Sequence, residues 1–191
     1  MAHFGAIRAA VAAILKRNLR MKYNVASAMA TQIALVLSGI RSGYLVDGMS
    51  LRKHDLQLIL QHVQDGSPSE IAAIWETTTE QAFFINTFLL KAKLEAESLP
   101  LWVSTTNPSQ LVPEPHSFQT LLGKIILEPG SLSTISTDQP TDMVPFAAWL
   151  LDYPVAYVVT DPEGPFLTNV ALQVYDCTLN WQDERFVLPL A

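Results

Sequence analysis

Residues 24–40 carry no charge, and this stretch constrains the fold more than any other part of the chain. Apolar residues recur in it at spacings near 3.6, which predicts a helix with a strongly apolar side. The stretch also contains Asn24, Thr31 and Gln32, so it is too polar and too short to span a membrane comfortably. We therefore interpret it as a helix buried in a globular core, and we expect no membrane association.

The overall composition agrees with a well-filled core. The chain has 191 residues, of which 49% are hydrophobic and 16% charged, and its mean hydropathy is +0.22. A chain of this length buries roughly 70% of the surface that its unfolded form exposes. We therefore expect one α/β domain over residues 1–191. Apolar content this high also favours a surface patch that binds a partner.

Cysteine usage and the N-terminal segment bear on the compartment. Cys177 is the only cysteine, so no internal disulfide and no thiolate metal site can form, which favours the reducing cytoplasm or nucleus. Residues 1–22 predict a basic amphipathic helix that packs its apolar side on the domain. The same acid-free, Arg-containing pattern is also typical of a mitochondrial transit peptide. Both interpretations stay open, and the packed helix is favoured.

Charge is distributed unevenly along the sequence. Six Lys and Arg residues precede the first acidic residue, Asp47. From Asp47 onward the other six basic residues stand against all 18 acidic ones, a net charge of −12. Nucleic-acid binding needs a broad basic face, and only the N-terminal region has one, so we do not expect a nucleic-acid partner.

Patterning along the chain predicts alternating strands and helices. A buried strand is expected at 44–46, followed by a helix that Ser50 caps. The capping box that Ser67 and Glu70 form predicts another helix, with Ile71, Ile74 and Trp75 on its buried side. Residues 81–90 fit either a strand followed by a helix or one long helix, and aromatic enrichment favours the strand.

The second half predicts further strands and two loops. Strands are expected at 101–104 and 155–159, and the latter is expected to form an antiparallel hairpin with 170–175. Proline-rich and serine-rich stretches predict loops at 105–115 and 128–145. The resulting fold class is α/β (mixed α+β), with a mixed sheet of about five strands and a C-terminal antiparallel hairpin, covered by helices.

The established chemical motifs are missing from the sequence. The glycines do not follow phosphate-binding spacings, and no nucleophile elbow occurs. His54 and His62 are two turns apart on one predicted helix, which is too far for joint metal ligation. No cofactor and no metal are therefore predicted.

Asp47 is the best catalytic candidate. It follows the first predicted strand and precedes a helix, where open α/β sheets hold ligands. Asp152, Asp161 and Asp176 would join it only if the fold brought these carboxylates together. That arrangement would give a small-molecule or metal-dependent hydrolase. The alternative, which is favoured, is an Asx turn that merely closes the strand.

Two aromatic residues in the last part of the chain are candidates for partner binding. Trp181 lies in a polar stretch after the last predicted strand, and Phe166 lies in the predicted hairpin. Exposed aromatic side chains are frequent anchors of protein interfaces. With no catalytic motif and an apolar composition, the favoured function is a non-catalytic interaction or scaffold domain. Its expected partner is another protein or a second copy of the chain.

Several segments resemble a known family. They are residues 38–47, 99–103, 153–157 and 169–175, and together they are similar to the uncharacterised eukaryotic family known as "chromosome 1 open reading frame 74". The resemblance spans most of the chain. It implies no activity and no catalytic residues, because that family has none established.

Overall fold

The computed structural model describes residues 4–47, 49–64, 70–106, 109–159, 176–181 and 184–189, the last two ranges as strands without their side chains. The helices are α1 (Phe4–Asn18), α2 (Tyr23–Leu37), α3 (Lys53–Gln64), α4 (Thr87–Glu95), α5 (His116–Leu122) and α6 (Met143–Leu150). The strands are β1 (Gly43–Leu45), β2 (Ile71–Glu76), β3 (Gln81–Asn86), β4 (Leu101–Ser104), β5 (Leu132–Ile135), β6 (Val155–Val158), β7 (Asp176–Trp181) and β8 (Glu184–Pro189).

The strands form three sheets. The central sheet has the order β1-β3-β2-β5, in which β3 pairs antiparallel with β1 and β2, while β2 and β5 are parallel. A second sheet consists of β4 and β6 in parallel. Strands β7 and β8 form an antiparallel hairpin. The predicted mixed α/β class is therefore confirmed.

Helices cover both faces of the central sheet. Alternate residues of its strands point to opposite sides, so Ala73 and Phe84 join α1, α2 and α3 in one hydrophobic cluster. Ile74 and Phe83 join α4, α5, α6 and the inner side of β4 and β6 in a second cluster. The result is a layered core with the sheet in the middle. The uncharged segment forms α2, whose Ile33 is fully buried as expected.

The helix predicted from the capping box is wrong. Ile71–Glu76 is strand β2, and Ser67 lies outside the described residues. The apolar residues fit a helical spacing, but Ala72 and Ala73 between them are buried as well. A strand that is covered on both faces has a continuous run of apolar residues. Such a run also contains the apolar spacing of a helix with one buried face, so the sequence pattern predicted a helix. The choice of strand then helix for residues 81–90 is confirmed by β3 and α4.

Two further local predictions are corrected. The stretch 128–145, expected to be a loop, contains β5 and the beginning of α6, because pairing with β2 orders a serine-rich segment that has little intrinsic preference. Ser50 does not cap α3. Instead Asp55, in the first turn, accepts a hydrogen bond from the Arg52 N–H at 2.9 Å, which is the carboxylate half of a capping box.

The strand predicted at 155–159 forms as β6. Residues 170–175 lie outside the described residues, whereas β6 pairs in parallel with β4. The described C-terminal hairpin is formed by β7 and β8, further along the chain. A parallel partner that lies about fifty residues away in sequence leaves no local turn signal.

Candidate functional site

Three polar side chains from distant parts of the chain meet beside the C-terminal end of α6. The carboxylate of Asp152 accepts hydrogen bonds from the Ser42 N–H at 2.9 Å and from the Ser42 hydroxyl at 2.7 Å. It also accepts one from Lys93 Nζ at 3.0 Å. Ser42 is buried, whereas the side chain of Asp152 is 43% exposed and that of Lys93 is 17% exposed. The network therefore joins the core to the surface.

Backbone geometry positions this network. Gly43, next to Ser42, packs so tightly against α6 that a Cβ built on it would lie 2.6 Å from the Leu150 carbonyl oxygen. Asp152 follows α6 with a φ of 65°, in the left-handed region that glycine and, less often, asparagine and aspartate adopt. The close approach of β1 to the end of α6 brings Ser42 within reach of Asp152.

Lys93 binds the C-terminal end of α6. Its ammonium group donates to the Trp149 carbonyl oxygen and lies 4.9 Å from the centroid of the Trp149 ring. A cation at a helix C-terminus is favourable because the last carbonyl groups carry partial negative charge. The Trp149 indole N–H donates to the Ser98 carbonyl at 3.2 Å. These contacts fasten α6 to α4 and to the segment that follows α4.

The network holds one group of each charge. Burial alone raises the pKa of the Asp152 carboxyl, but the hydrogen bonds from Ser42 and Lys93 outweigh burial and hold that pKa below its ordinary value. Asp152 is therefore ionised at neutral pH and faces the Lys93 ammonium group. The Ser42 hydroxyl and the Lys93 ammonium group donate to the same carboxylate oxygen of Asp152, so the three side chains share one charged hydrogen-bond network.

A shallow pocket adjoins the network. Its volume is about 140 Å³, and its walls combine the charged pair with apolar and aromatic groups: Lys93, Ser98, Leu99, Pro100, Trp149, Asp152, Tyr153 and Pro154. A volume this small holds one side chain of a partner rather than a metabolite-sized ligand.

An exposed apolar surface surrounds the pocket on the outside of β4. We call it the apolar face and define it by its most exposed members, Leu99 (44% exposed), Leu101 (60%), Leu111 (73%) and Tyr153 (40%). Leu99 and Tyr153 line the pocket. Leu101 pairs with Val155 across the small sheet, and Leu111 forms a β-bridge with Val103. The four residues therefore lie around one strand.

The apolar face is unusual because it belongs to a parallel sheet. Trp102 and Ala156 fill the inner side of the β4–β6 pair and are buried. On the outer side, Leu101, Val103 and Val155 join none of the hydrophobic clusters of the described residues. Parallel sheets occur almost only with both faces covered, so an exposed outer side is unusual for such a sheet.

The grouping of the sequence-predicted catalytic carboxylates stays a prediction, since the side chains of Asp161 and Asp176 are not described. Asp47 is exposed just after β1, and the neighbour of β1 is the antiparallel β3, so Asp47 is not at the carboxyl end of a parallel pair. Asp161 lies outside the described residues, and Asp176 begins β7. Among the described residues, no group of three or more His, Cys, Asp or Glu side chains could hold a metal ion.

The partner-binding candidates also fall near the end of the chain. Phe166 lies outside the described residues. Trp181 is the last residue of β7 rather than part of a polar stretch after the last strand, and its side chain is not described. Both assignments stay predictions.

Sequence reasoning missed Ser42 and Lys93 and mentioned Asp152 only as a companion of Asp47. Ser42 and Asp152 are 110 positions apart in the chain, and no spacing rule connects them. Asp152 precedes Tyr153-Pro154 and follows an apolar helix. This pattern predicts a turn and does not indicate a functional site.

No family model, curated protein or solved structure matches the chain. Of the segments that resemble the "chromosome 1 open reading frame 74" family, residues 99–103 and 153–157 lie together, since β4 pairs with β6 and Leu99 lines the same pocket as Tyr153, whereas residues 169–175 lie outside the described residues. Membership of that family stays a prediction. None of the described helices combines the length and the apolar character that crossing a membrane requires.

Proposed function

We propose that the protein is a non-catalytic interaction domain that associates with a second copy of itself through the apolar face. The observation that carries this proposal is the parallel β4–β6 sheet, whose outer side exposes Leu101 at 60% and Leu111 at 73%. Leucine side chains exposed to this extent around one strand favour a binding surface.

Self-association is favoured over a different partner by the charge pattern of the site. Strands β4 and β6 contain no charged residue, so the surface complements another apolar surface. The pocket at its border carries both Lys93 and Asp152. A two-fold axis can place Lys93 of one copy opposite Asp152 of the other copy. A border that carries both charges is therefore complementary to itself.

Sedimentation velocity across the micromolar range tests the proposal. The wild-type chain should form dimers that persist when the salt concentration is raised, because salt does not screen apolar contacts, whereas it screens both the attraction at the pocket border and the repulsion between two copies of net charge −6. Leu101→Asp should raise the dissociation constant at least about tenfold, since it places a charge in a buried apolar contact.

Ile126→Asp is the matched control, because Ile126 is 50% exposed and is not part of the apolar face. Its backbone N–H donates to the Ser133 hydroxyl on β5, an edge strand of the central sheet. This variant should leave the dimer unchanged. A wild-type chain that stays monomeric throughout, or equal weakening by the two variants, would contradict the proposal.

A further inference from the structure

A second surface of different character lies at the end of the hairpin that α1 and α2 form. Lys16 and Arg17 occupy the last turn of α1, and Arg20 and Lys22 lie in the connection to α2. All four side chains are exposed, as is Tyr23. We call these five residues the basic end. Within the described part of the chain, none of its four cations forms an ion pair.

The positive potential of the basic end comes from its side chains. Helix α2 begins here without a capping side chain and has no acidic residue in its first turn. Its first N–H groups carry partial positive charge, which the partial negative charge of the last α1 carbonyl groups offsets. No acidic residue occurs anywhere before Asp47, so local sequence does not neutralise this surface.

Arg20 occupies a position where glycine would be more stable. Its φ is 52°, and the Leu15 carbonyl accepts hydrogen bonds from Leu19 N–H and Met21 N–H on either side of it. Left-handed backbone is unfavourable for a residue that carries a Cβ. The connection thus keeps a cation at a cost in stability, which points to a use for the side chain.

We propose that the basic end binds an acidic peptide segment of a partner protein. Four cations within residues 16–22 match a short run of carboxylates. A long polyanion such as nucleic acid would extend over the remainder of the chain, whose net charge is −10 from eight basic and 18 acidic residues. Lys16 Nζ lies 5.0 Å from the Tyr23 ring centroid, which gives a peptide an apolar contact beside the charges.

This surface is separate from the apolar face. Helices α1 and α2 cover one side of the central sheet, whereas the inner side of the β4–β6 pair packs against the other. Peptide binding therefore does not depend on self-association. Peptide binding and self-association are distinguishable because raising the salt concentration weakens peptide binding, whereas the apolar dimer contact persists.

Fluorescence anisotropy with a labelled hexaglutamate peptide tests the proposal. The full-length chain should bind the peptide at low salt and more weakly as salt rises. The double variant Arg17→Gln with Lys22→Gln should weaken binding about three- to tenfold, as expected for two exposed charge contacts. The matched control is Lys53→Gln with Lys91→Gln, which removes the same charge from exposed positions on α3 and α4 and should leave binding within twofold. Absence of binding at low salt, or equal weakening by the control, would overturn the proposal.

Arg20→Gly separates a binding role from a structural one. It should weaken peptide binding while raising the melting temperature by about 2–4 °C, because glycine relieves the left-handed backbone. A variant that loses both binding and thermal stability would assign Arg20 a structural role and overturn the argument. Six-residue oligothymidylate and phosphatidylserine vesicles serve as competing probes. Tighter binding of either than of the peptide would replace the acidic peptide with nucleic acid or a membrane surface.

Discussion

Replacing Gly43 with alanine tests how the site is assembled. A Cβ at this position would lie 2.6 Å from the Leu150 carbonyl oxygen and 3.2 Å from its carbon. Both clashing atoms belong to backbone, so no side-chain rotation relieves them. Strand β1 is held by its register with β3, where Gly43 pairs with Ile85, and α6 is held by the buried Trp149. Either element must therefore move by several tenths of an ångström.

The expected cost follows from this geometry. Overpacking a well-filled core destabilises a protein by about 1–3 kcal/mol, and a clash between two fixed backbones belongs at the upper end. The lower unfolded-chain entropy of alanine returns about 0.4–1 kcal/mol. We expect Gly43→Ala to lower the free energy of unfolding by about 2 kcal/mol, and the melting temperature by roughly 4–8 °C.

Urea unfolding followed by tryptophan fluorescence measures the effect, with Gly123→Ala as the control. Gly123 has a right-handed backbone with a φ of −66°, and the nearest atom to its Cβ would be 3.5 Å away. That variant should be stabilised by about 0.4–1 kcal/mol. A Gly43→Ala variant as stable as the wild type, or less affected than Gly123→Ala, would refute the close approach of β1 to α6.

Three ionisable side chains contribute to stability in ways that substitution and pH can measure. Asp152→Asn should lower the free energy of unfolding by about 1 kcal/mol, and the effect is small because the carboxylate is 43% exposed. Asp138→Asn, on an exposed loop, should change the free energy of unfolding little. Urea unfolding of the two variants measures both effects. Burial raises the pKa of Glu76, but hydrogen bonds from Thr79 and Thr78 outweigh burial and hold that pKa below its ordinary 4.5. Its stabilisation is therefore complete above about pH 4.5 and is lost as the pH falls through the lower folded value, so Glu76→Gln should flatten the acid limb of a stability–pH curve. Burial and the neighbouring Asp47 raise the pKa of Tyr44 from 10.0 to about 12, so its stabilisation should be lost as the pH rises through that range. Tyr44→Phe should remove this alkaline loss, and absorbance titration should show one tyrosine that ionises late in the wild type and not in the variant.

Local signals in the sequence were sufficient for several elements. The spacing of apolar residues predicts α1, α2 and α3, and aromatic enrichment predicts β3 before α4. These elements are specified by residues a few positions apart, so a one-dimensional pattern carries their information. The same reasoning misassigned β2, because a strand buried on both faces and a helix buried on one share an apolar spacing.

The sequence by itself determined the fold class of the protein. An uncharged helical segment, an apolar composition and alternating strand and helix patterns indicate a globular fold in which helices cover a sheet. The acid-free beginning of the chain also marked the basic end, because charges that are close in sequence stay close on a helical hairpin.

Only the tertiary structure decided where the candidate site lies. Ser42, Lys93 and Asp152 meet because β1 approaches the end of α6 at Gly43, and the apolar face exists because β6 pairs in parallel with β4. Contacts of this kind join residues tens of positions apart. Their physical origin is packing of whole elements on the central sheet, and no local spacing records it.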